Sequence, residues 1–267
     1  MLRLAREEDK LPLLTILRED PARAMFIIGD IEQNGLHTDY QTTWIEEADG
    51  EYLAVYLKYH SNFVFYLISN RFDPQHLVLL LAATKCENVN AVKSHYELVS
   101  EILGSSIKWR STFFCACSAL VTQPETLDVR KASADDAPKI ARSLMRINEF
   151  NMEVMTLQER EERIRSRFKE GKIHGYLLEI DGDVVAYAST AVETGSSAMV
   201  ASVFCLPEHR GRGYAKQAVW ALSDELLKSG RLPCLFYDNP SAGRIYHALG
   251  YTTFDTWMMG RNEAIQP

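Results

Sequence analysis

The sequence predicts a mixed α/β protein made of two related units in tandem, and three observations predict it. The chain has 267 residues, long for one average domain and comfortable for two, each large enough to bury its own core. Near VTQPETLDV, residues 121 to 129, an apolar strand-like run from Ser111 to Val121 gives way to a polar, proline-containing connector. Beyond it, LDVRKASADDAPKIARSL reprises MLRLAREEDKLPLLTIL from the amino terminus. Asp9 and Asp135 are 126 apart, as are Pro12 and Pro138, and each segment reads as a short strand, a polar turn and a helix with apolar residues at helical spacing. The expected domains are residues 1–122 and 126–267, each a central, mostly antiparallel sheet flanked by helices.

The elements follow in order. After its opening strand and helix the first unit continues with a hairpin, EYLAVYLKYHSNFVFYLIS, rich in aromatic and β-branched residues. A helical region then runs from about Pro74 to Leu103, broken near Glu87 to Asn90. The second unit offers helices around Ala137 to Glu149 and Leu157 to Lys169, then a hairpin whose turn is the Asp-Gly of IDGDV, Ile180 to Val184. A strand AMVASVFCL, a turn HRGRGYA, a helix to Ser229, a strand CLFYDN, a short helix from about Ala242 to Leu249 and a closing strand YTTFDTWMM complete it. Adjacent hairpins among the helices distinguish this order from a simple βαβ repeat.

Composition narrows the partners. With 46% hydrophobic and 24% charged residues, the chain resembles an ordinary globular protein. A net charge of -7 argues against non-specific binding to nucleic acid or anionic membrane, since both are polyanions. The start MLRLAREEDK has no apolar core behind it, and the most apolar run, Leu77 to Ala83, is too short to span a bilayer, so a cytoplasmic protein is expected. Five widely spaced cysteines, Cys86, Cys115, Cys117, Cys205 and Cys234, read as reduced core thiols. One CxC without a second ligand pair is a weak metal signal, and no metal is expected.

The turn HRGRGYA has two readings, an anion-binding helix start or a glycine-rich turn with solvated arginines. Apolar residues at Ala215, Ala218, Val219, Leu222 and Leu226 place one buried stripe on a helix, so the turn is that helix's amino terminus. Its first N–H groups lack intrahelical partners, the dipole there is positive, and Gly211 and Gly213 let an anion reach the main chain without Cβ obstruction. Phosphate suits such a place. A P-loop is excluded because Tyr214-Ala215 stand where Lys and Ser/Thr are required, and the dinucleotide fingerprint because Lys216 follows the two glycines and Asp224 and Glu225 fall within the same helix.

The string VFCLPEHRGRGYA resembles the pyrophosphate-binding motif of the GNAT acetyltransferase superfamily, R-x-x-G-x-G/A, at Arg210, Gly213 and Ala215, preceded by the family's strand and Pro207. Downstream, NPSAGRIYHALGY is similar to the family's N-P-x-S-N-x-x-Y-x-x-x-G-F/Y at Asn239, Pro240, Tyr246, Gly250 and Tyr251, with Ala242 and Gly243 replacing the frequent Ser-Asn. The likeness covers about Thr126 to Met259. It implies two GNAT-like units, the first degenerate because SNRFDPQHL, with no glycine, stands where its loop should be. It also implies acetyl-CoA as cosubstrate, its pyrophosphate held by the main chain of Gly211, Arg212, Gly213, Tyr214 and Ala215, with charge from Arg210 and Arg212. The pantetheine arm would lie along a splayed strand at Val203, Phe204 and Cys205, pairing with the main chain of Val203 and Cys205. Asn239 belongs to the same site.

The implied reaction is N-acetyl transfer to a primary amine of a small molecule or an exposed protein amine by direct attack. The amine must be neutral, the oxyanion stabilised and the departing thiolate protonated. Tyr246 matches the tyrosine that lies near the coenzyme sulfur as general acid in many family members, with an aromatic packing a helix against the sheet as its other reading. Glu193, in TAVETG at a strand end, is the candidate base, with a solvated turn glutamate as its other reading. Glu149 and Glu153 occupy a region that shapes the acceptor site in similar proteins and could bind a cationic amine, with a solvated helix end as the favoured reading, and His174, His209 and His247 read as satisfied or exposed. A non-catalytic coenzyme-binding module remains the alternative, disfavoured by Tyr246, since such a module needs no acid near sulfur.

Overall fold

The computed structural model describes residues 1–147 and 155–263. It divides into two compact units. One contains Met1–Phe114, Phe236–Asp238 and residues 253 onward, and the other Cys115–Leu235 with Asn239–Thr252.

In the amino-terminal unit, β1 (Leu2–Leu4), β2 (Gln41–Ala48), β3 (Glu51–Tyr59) and β4 (Asn62–Leu67) form antiparallel ladders, and β5 (Asn88–Val92) pairs parallel with the start of β4. Helices α1 (Lys10–Leu17), α2 (Met25–Asn34), α3 (Pro74–Thr84) and α4 (Lys93–Leu103) accompany the sheet, and β6 (Ile107–Ala116) follows. Leu13, Leu17, Ile28, Ile31, Ile45 and Val55 pack as one core, and Tyr56, Phe63, Phe65, Leu77 and Val89 as another. The sequence reads 74–103 as one broken helical region. The break is the strand β5, whose Val89, Ala91 and Val92 are buried.

The carboxy-terminal unit repeats the plan. Here β7 (Arg130–Lys131), β8 (Gly175–Ile180), β9 (Asp183–Glu193) and β10 (Ser197–Cys205) are antiparallel, and β11 (Leu232–Tyr237) joins β10 in parallel. Its helices are α5 (Ala137–Met145), α6 (Leu157–Lys169), α7 (Tyr214–Lys228) and α8 (Pro240–Leu249), and β12 (Thr252–Asn262) ends the described chain. The Asp181-Gly182 turn has φ 51° and 86°, the two positive values a tight hairpin requires, and Asp49-Gly50 makes the same turn in the first unit at 54° and 78°.

Two sequence expectations are corrected. The repeat has an offset of 127 at its start rather than 126: the 3-10 turn Glu7–Asp9 and helix at Lys10 answer to Ala134–Asp136 and Ala137, so Asp9 corresponds to Asp136 and not to Asp135. The closing strand, expected in the second unit, pairs almost entirely with the first. Trp257 to Arg261 lie antiparallel to Val92 to Asn88, Arg23 Nε donates to Asp255 Oδ2 at 2.6 Å, and Trp257 packs on Phe26 with centroids 5.0 Å apart. Strand periodicity says which face of β12 is apolar but not which edge it joins.

Candidate functional site

The site begins with a ladder that stops. Strand β10 pairs with β11 only from Ser197–Leu232 to Met199–Cys234, so beyond Met199 its main chain has no β11 partner. On its other side the register with β9 breaks between Ala201 and Phe204, where Ser202 takes φ 51° inside a strand. A non-glycine residue in that region costs about 1–3 kcal/mol and marks a place where surrounding structure imposes the shape. Val203 and Cys205 are half-buried on this stretch, while the Phe204 ring is buried against Tyr187. Phe204 therefore offers the site main chain only.

The turn after β10 has the form expected of an anion cradle. Pro207–His209 make one 3-10 turn, Arg210 is extended, and Gly211 and Gly213 have φ 80° and 78°. A Cβ on either glycine would meet nothing within 4 Å, so the space above the main chain is open. The first α7 bond runs from Gln217 N to Gly213 O at 3.1 Å, leaving the amides before Gln217 ahead of the helical ladder. Arg210 and Arg212 are exposed, Tyr214 is half-buried and Ala215 buried. Arg210 Nε also donates to the Cys205 carbonyl at 3.1 Å, bracing the turn against the strand. These residues fit a pyrophosphate in space, charge and donors.

The corresponding helix start in the first unit is filled by the protein itself. Asp73 Oδ1 accepts from Gln75 N at 3.0 Å, and the buried Glu46 Oε1 accepts from Asp73 N at 2.7 Å. Two carboxylates take the place and the donors that a phosphate would need.

Asn239 caps α8, its Oδ1 accepting from Ser241 N at 2.9 Å. Gly250 ends that helix at φ 111°, where a Cβ would run into the Ala119 carbonyl, so the motif glycine is required by close approach. Tyr246 lies between them on α8, 7% exposed and edge-on to Tyr251. Burial, with Cys115 nearby, pushes its hydroxyl up to about 12, so it holds its proton throughout the ordinary pH range. Tyr251, fully buried, shares a 2.7 Å hydrogen bond with Ser223 Oγ.

Glu193 is placed differently from the expectation. Its Oε1 meets His174 Nδ1 at 2.6 Å and accepts from Thr190 Oγ1 at 2.6 Å, and its Oε2 is ion-paired with Arg231. It stands opposite Ala198, at the start of β10, about 23 Å along the strand from Cys205 at roughly 3.3 Å per residue. A carboxylate gripped by three donors of its own chain ties the end of β9 to the start of β11. Glu149 and Glu153 lie outside the described residues. His247 Nδ1 is 2.9 Å from the Tyr251 carbonyl, and His209 flanks the turn.

The sequence reading missed a cavity of about 100 Å³ between α5, α6 and the bent part of β9 and β10. Arg160, Arg163 and Arg167 line it from α6, and Tyr187, Ser189 and Ser202 from the strands. The signal was present as R-x-x-R-x-x-x-R in a helix, a spacing that puts all three on one face. All five cysteines are free, four of them buried. Among the described residues no group of three or more His, Cys, Asp or Glu could hold a metal ion, and no helix is long and apolar enough to cross a membrane.

Comparison with known proteins agrees with this geometry. Residues 141–251 match the Acetyltransferase (GNAT) family. No curated protein matches the chain. Among solved structures, a GCN5-related N-acetyltransferase from Sphaerobacter thermophilus aligns with TM-score 0.65 at 16% identity, covering 100% of this chain and 96% of its own. A GNAT-family acetyltransferase from Colwellia psychrerythraea gives 0.63 at 11%, covering 98% and 99%. A tandem GNAT protein from the clavulanic acid biosynthesis pathway gives 0.58 at 12%, covering 97% of each chain. At these identities the structures speak for fold, and the fold they share with this chain extends over both of its units. The match to the acetyltransferase (GNAT) family is thus one of residues 141–251, and over the whole chain the likeness, to a tandem GNAT protein among others, is one of fold.

Proposed function

We propose that the carboxy-terminal unit transfers an acetyl group from acetyl-CoA to a primary amine of a small molecule or an exposed protein amine, while the amino-terminal unit binds no coenzyme. The observation that carries this reading is the conjunction of an open, doubly glycine-bent helix start with the β10 main chain left unpaired by β11 beyond Met199. The amides ahead of Gln217 would hold the pyrophosphate, and the free edge of β10 around Val203 and Cys205 the pantetheine arm. Bound there, the coenzyme supplies an activated thioester. Tyr246 would give its proton to the departing sulfur, being protonated at any working pH. Glu193 serves as an anchor in this reading, because its carboxylate is already engaged by His174, Thr190 and Arg231. Removal of the amine proton then falls to water or to another group.

Calorimetric titration of the full chain with acetyl-CoA tests the binding half, and thiol release from acetyl-CoA in mixed amines tests transfer. Saturable binding with amine-dependent thiol release is expected. Saturable binding with no release in any amine would leave a coenzyme-binding module, and no binding at millimolar acetyl-CoA would remove the proposal.

A further inference from the structure

Tyr251 is tied closely to Tyr246. Gly250 N–H donates to the His247 carbonyl and Tyr251 N–H to the Tyr246 carbonyl, both at 3.1 Å, which are the two bonds of a Schellman motif closing α8. The Tyr251 ring stands edge-on to the Tyr246 ring with centroids 6.0 Å apart, the apolar contact that accompanies such a close. Turn chemistry and packing ask for an aromatic residue at this place, and phenylalanine would meet both demands. The hydroxyl is an addition, and it has a partner of its own.

That partner is on α7. Tyr251 Oη and Ser223 Oγ are 2.7 Å apart, and Ser223 Oγ donates to the Val219 carbonyl, one turn back on the same helix, at 2.7 Å. A serine hydroxyl has one proton and a carbonyl has none, so the Ser223 proton goes to Val219 and Tyr251 is the donor to Ser223. Burial raises the Tyr251 hydroxyl well above the ordinary tyrosine value, so it keeps the proton that this bond needs. Ser223 and Val219 are both fully buried, where a completed hydrogen-bond chain fixes one geometry. Helix α7 opens at Tyr214, directly after Gly213, and Ser223 lies about 15 Å along its axis from that glycine at roughly 1.5 Å per residue. The chain Val219, Ser223, Tyr251, Tyr246 therefore runs from the helix whose start forms the anion cradle to the side chain read as the acid.

We propose that Tyr251 is a positioning residue for acetyl transfer: its hydroxyl, bonded to Ser223, holds Tyr246 at a fixed place relative to α7 and so to bound coenzyme. The role rests on the reading of Tyr246 as the acid. Single-turnover acetyl transfer at saturating coenzyme is compared in the wild type, Tyr251→Phe, Tyr246→Phe and the double variant, all in the full chain and each checked for a native melting transition. Tyr251→Phe strands no buried group, since Ser223 keeps its bond to Val219. It should slow transfer by about threefold to thirtyfold through lost placement, with the Kd of acetyl-CoA within about twofold of the wild type. In the Tyr246→Phe background the same substitution should change the rate by less than about twofold, because no hydroxyl is left to place. A residue that only packs would give the same loss in both backgrounds. Wild-type rates in Tyr251→Phe, or equal losses in the two backgrounds, would overturn the proposal. If Tyr246→Phe transfers as fast as the wild type, the acid reading fails and the positioning role falls with it, whereas a slow Tyr246→Phe beside a fast Tyr251→Phe removes the positioning role alone. If no amine supports transfer, NMR of the full chain with ring-labelled tyrosine decides, the Tyr246 signals being identified by their loss in Tyr246→Phe. Severalfold faster flipping of the Tyr246 ring in Tyr251→Phe would then keep the positioning role while the transfer reading fails, and an unchanged flip rate would overturn the role as well.

Discussion

Arg130 holds Asp136 by two parallel hydrogen bonds, 2.9 Å from Nη1 and 2.6 Å from Nη2, and Arg3 holds Asp9 in the same way at 2.7 and 2.9 Å. In each unit a third member, Glu179 or Glu47, sits two residues before the Asp-Gly turn and pairs with the same arginine. The triad joins the first strand, the first helical turn and the end of the strand entering the hairpin. Asp136 also accepts from Ser133 N at 2.9 Å, and Asp9 from Arg6 N at 2.6 Å, so each aspartate closes a capping box. The tandem origin of the chain is written in this pair of triads more plainly than in any stretch of identical residues.

This arrangement makes stability acid-sensitive. The Arg3 guanidinium holds the Asp9 carboxyl well below the usual carboxylate range, and Arg130 lowers that of Asp136. Carboxyls lowered in the folded state stabilise it fully above the unfolded value, near 3.9, and that contribution drains away as pH falls below it. Asp136→Asn should cost about 1.5–3 kcal/mol at pH 7, the range for a hydrogen bond to a charged group, and should flatten the loss between about pH 4 and pH 2. Urea midpoints of both proteins across that range check it. Parallel curves would assign the acid sensitivity to other carboxylates.

Gly213→Val should weaken acetyl-CoA binding far more than Arg212→Ala. Gly213 stands at φ 78°, where a β-branched residue is strained, and its side chain would enter the open space above the turn. Arg212 is exposed, and an exposed ion partner is worth about 0–1 kcal/mol. Calorimetry on the full chain should show less than about fivefold weakening for the arginine variant. An unchanged Kd in folded Gly213→Val would remove the pyrophosphate from this turn.

Tyr246→Phe keeps the ring's contact with Tyr251 and deletes only the hydroxyl. Single-turnover acetyl transfer at saturating coenzyme should slow by about tenfold to a thousandfold, with coenzyme affinity nearly constant, because the interaction forms only as charge develops on sulfur. With the hydroxyl pushed up to about 12, its deprotonation contributes no alkaline limb below about pH 10. Equal rates in the two proteins would make Tyr246 a packing residue.

Glu193→Gln separates anchor from base. An anchor bound by Arg231, His174 and Thr190 predicts a loss of about 1–3 kcal/mol in stability and less than about threefold in the rate of acetyl transfer at a temperature where the variant is folded. A general base predicts a rate loss of about a hundredfold or more. Denaturant titration and kcat on the same preparation give the two readings together.

Local chemistry was legible from the sequence. Glycines at 211 and 213 are demanded by positive φ within a few residues, the Asp181-Gly182 turn likewise, and helix α6 begins at Leu157 as its capping box at Thr156 and Glu159 dictates. The second motif places Asn239 at the start, Tyr246 within and Gly250 at the end of one helix because capping and helical spacing are short-range rules. The repeat was legible too, though one residue out of register, since matching Asp9 to Asp135 ignored which aspartate can reach back to cap its turn.

Only the tertiary structure decided the rest, because each remaining feature depends on residues far apart in the chain. Strand β12 is apolar on one face wherever it lies, and its hydrogen bonds to Val89–Val92 come from the edge it finds. Glu193 looks like an open strand-end carboxylate until Arg231 folds onto it from 38 residues away. That β9 and β10 close a cavity over the α6 face bearing Arg160, Arg163 and Arg167 is not visible in the sequence, and Ser202 gives no sign in sequence of the bend that lines it. Turns and caps are set by backbone sterics over a few residues, whereas strand partners, ion pairs and cavities are set by which surfaces the folded chain brings together.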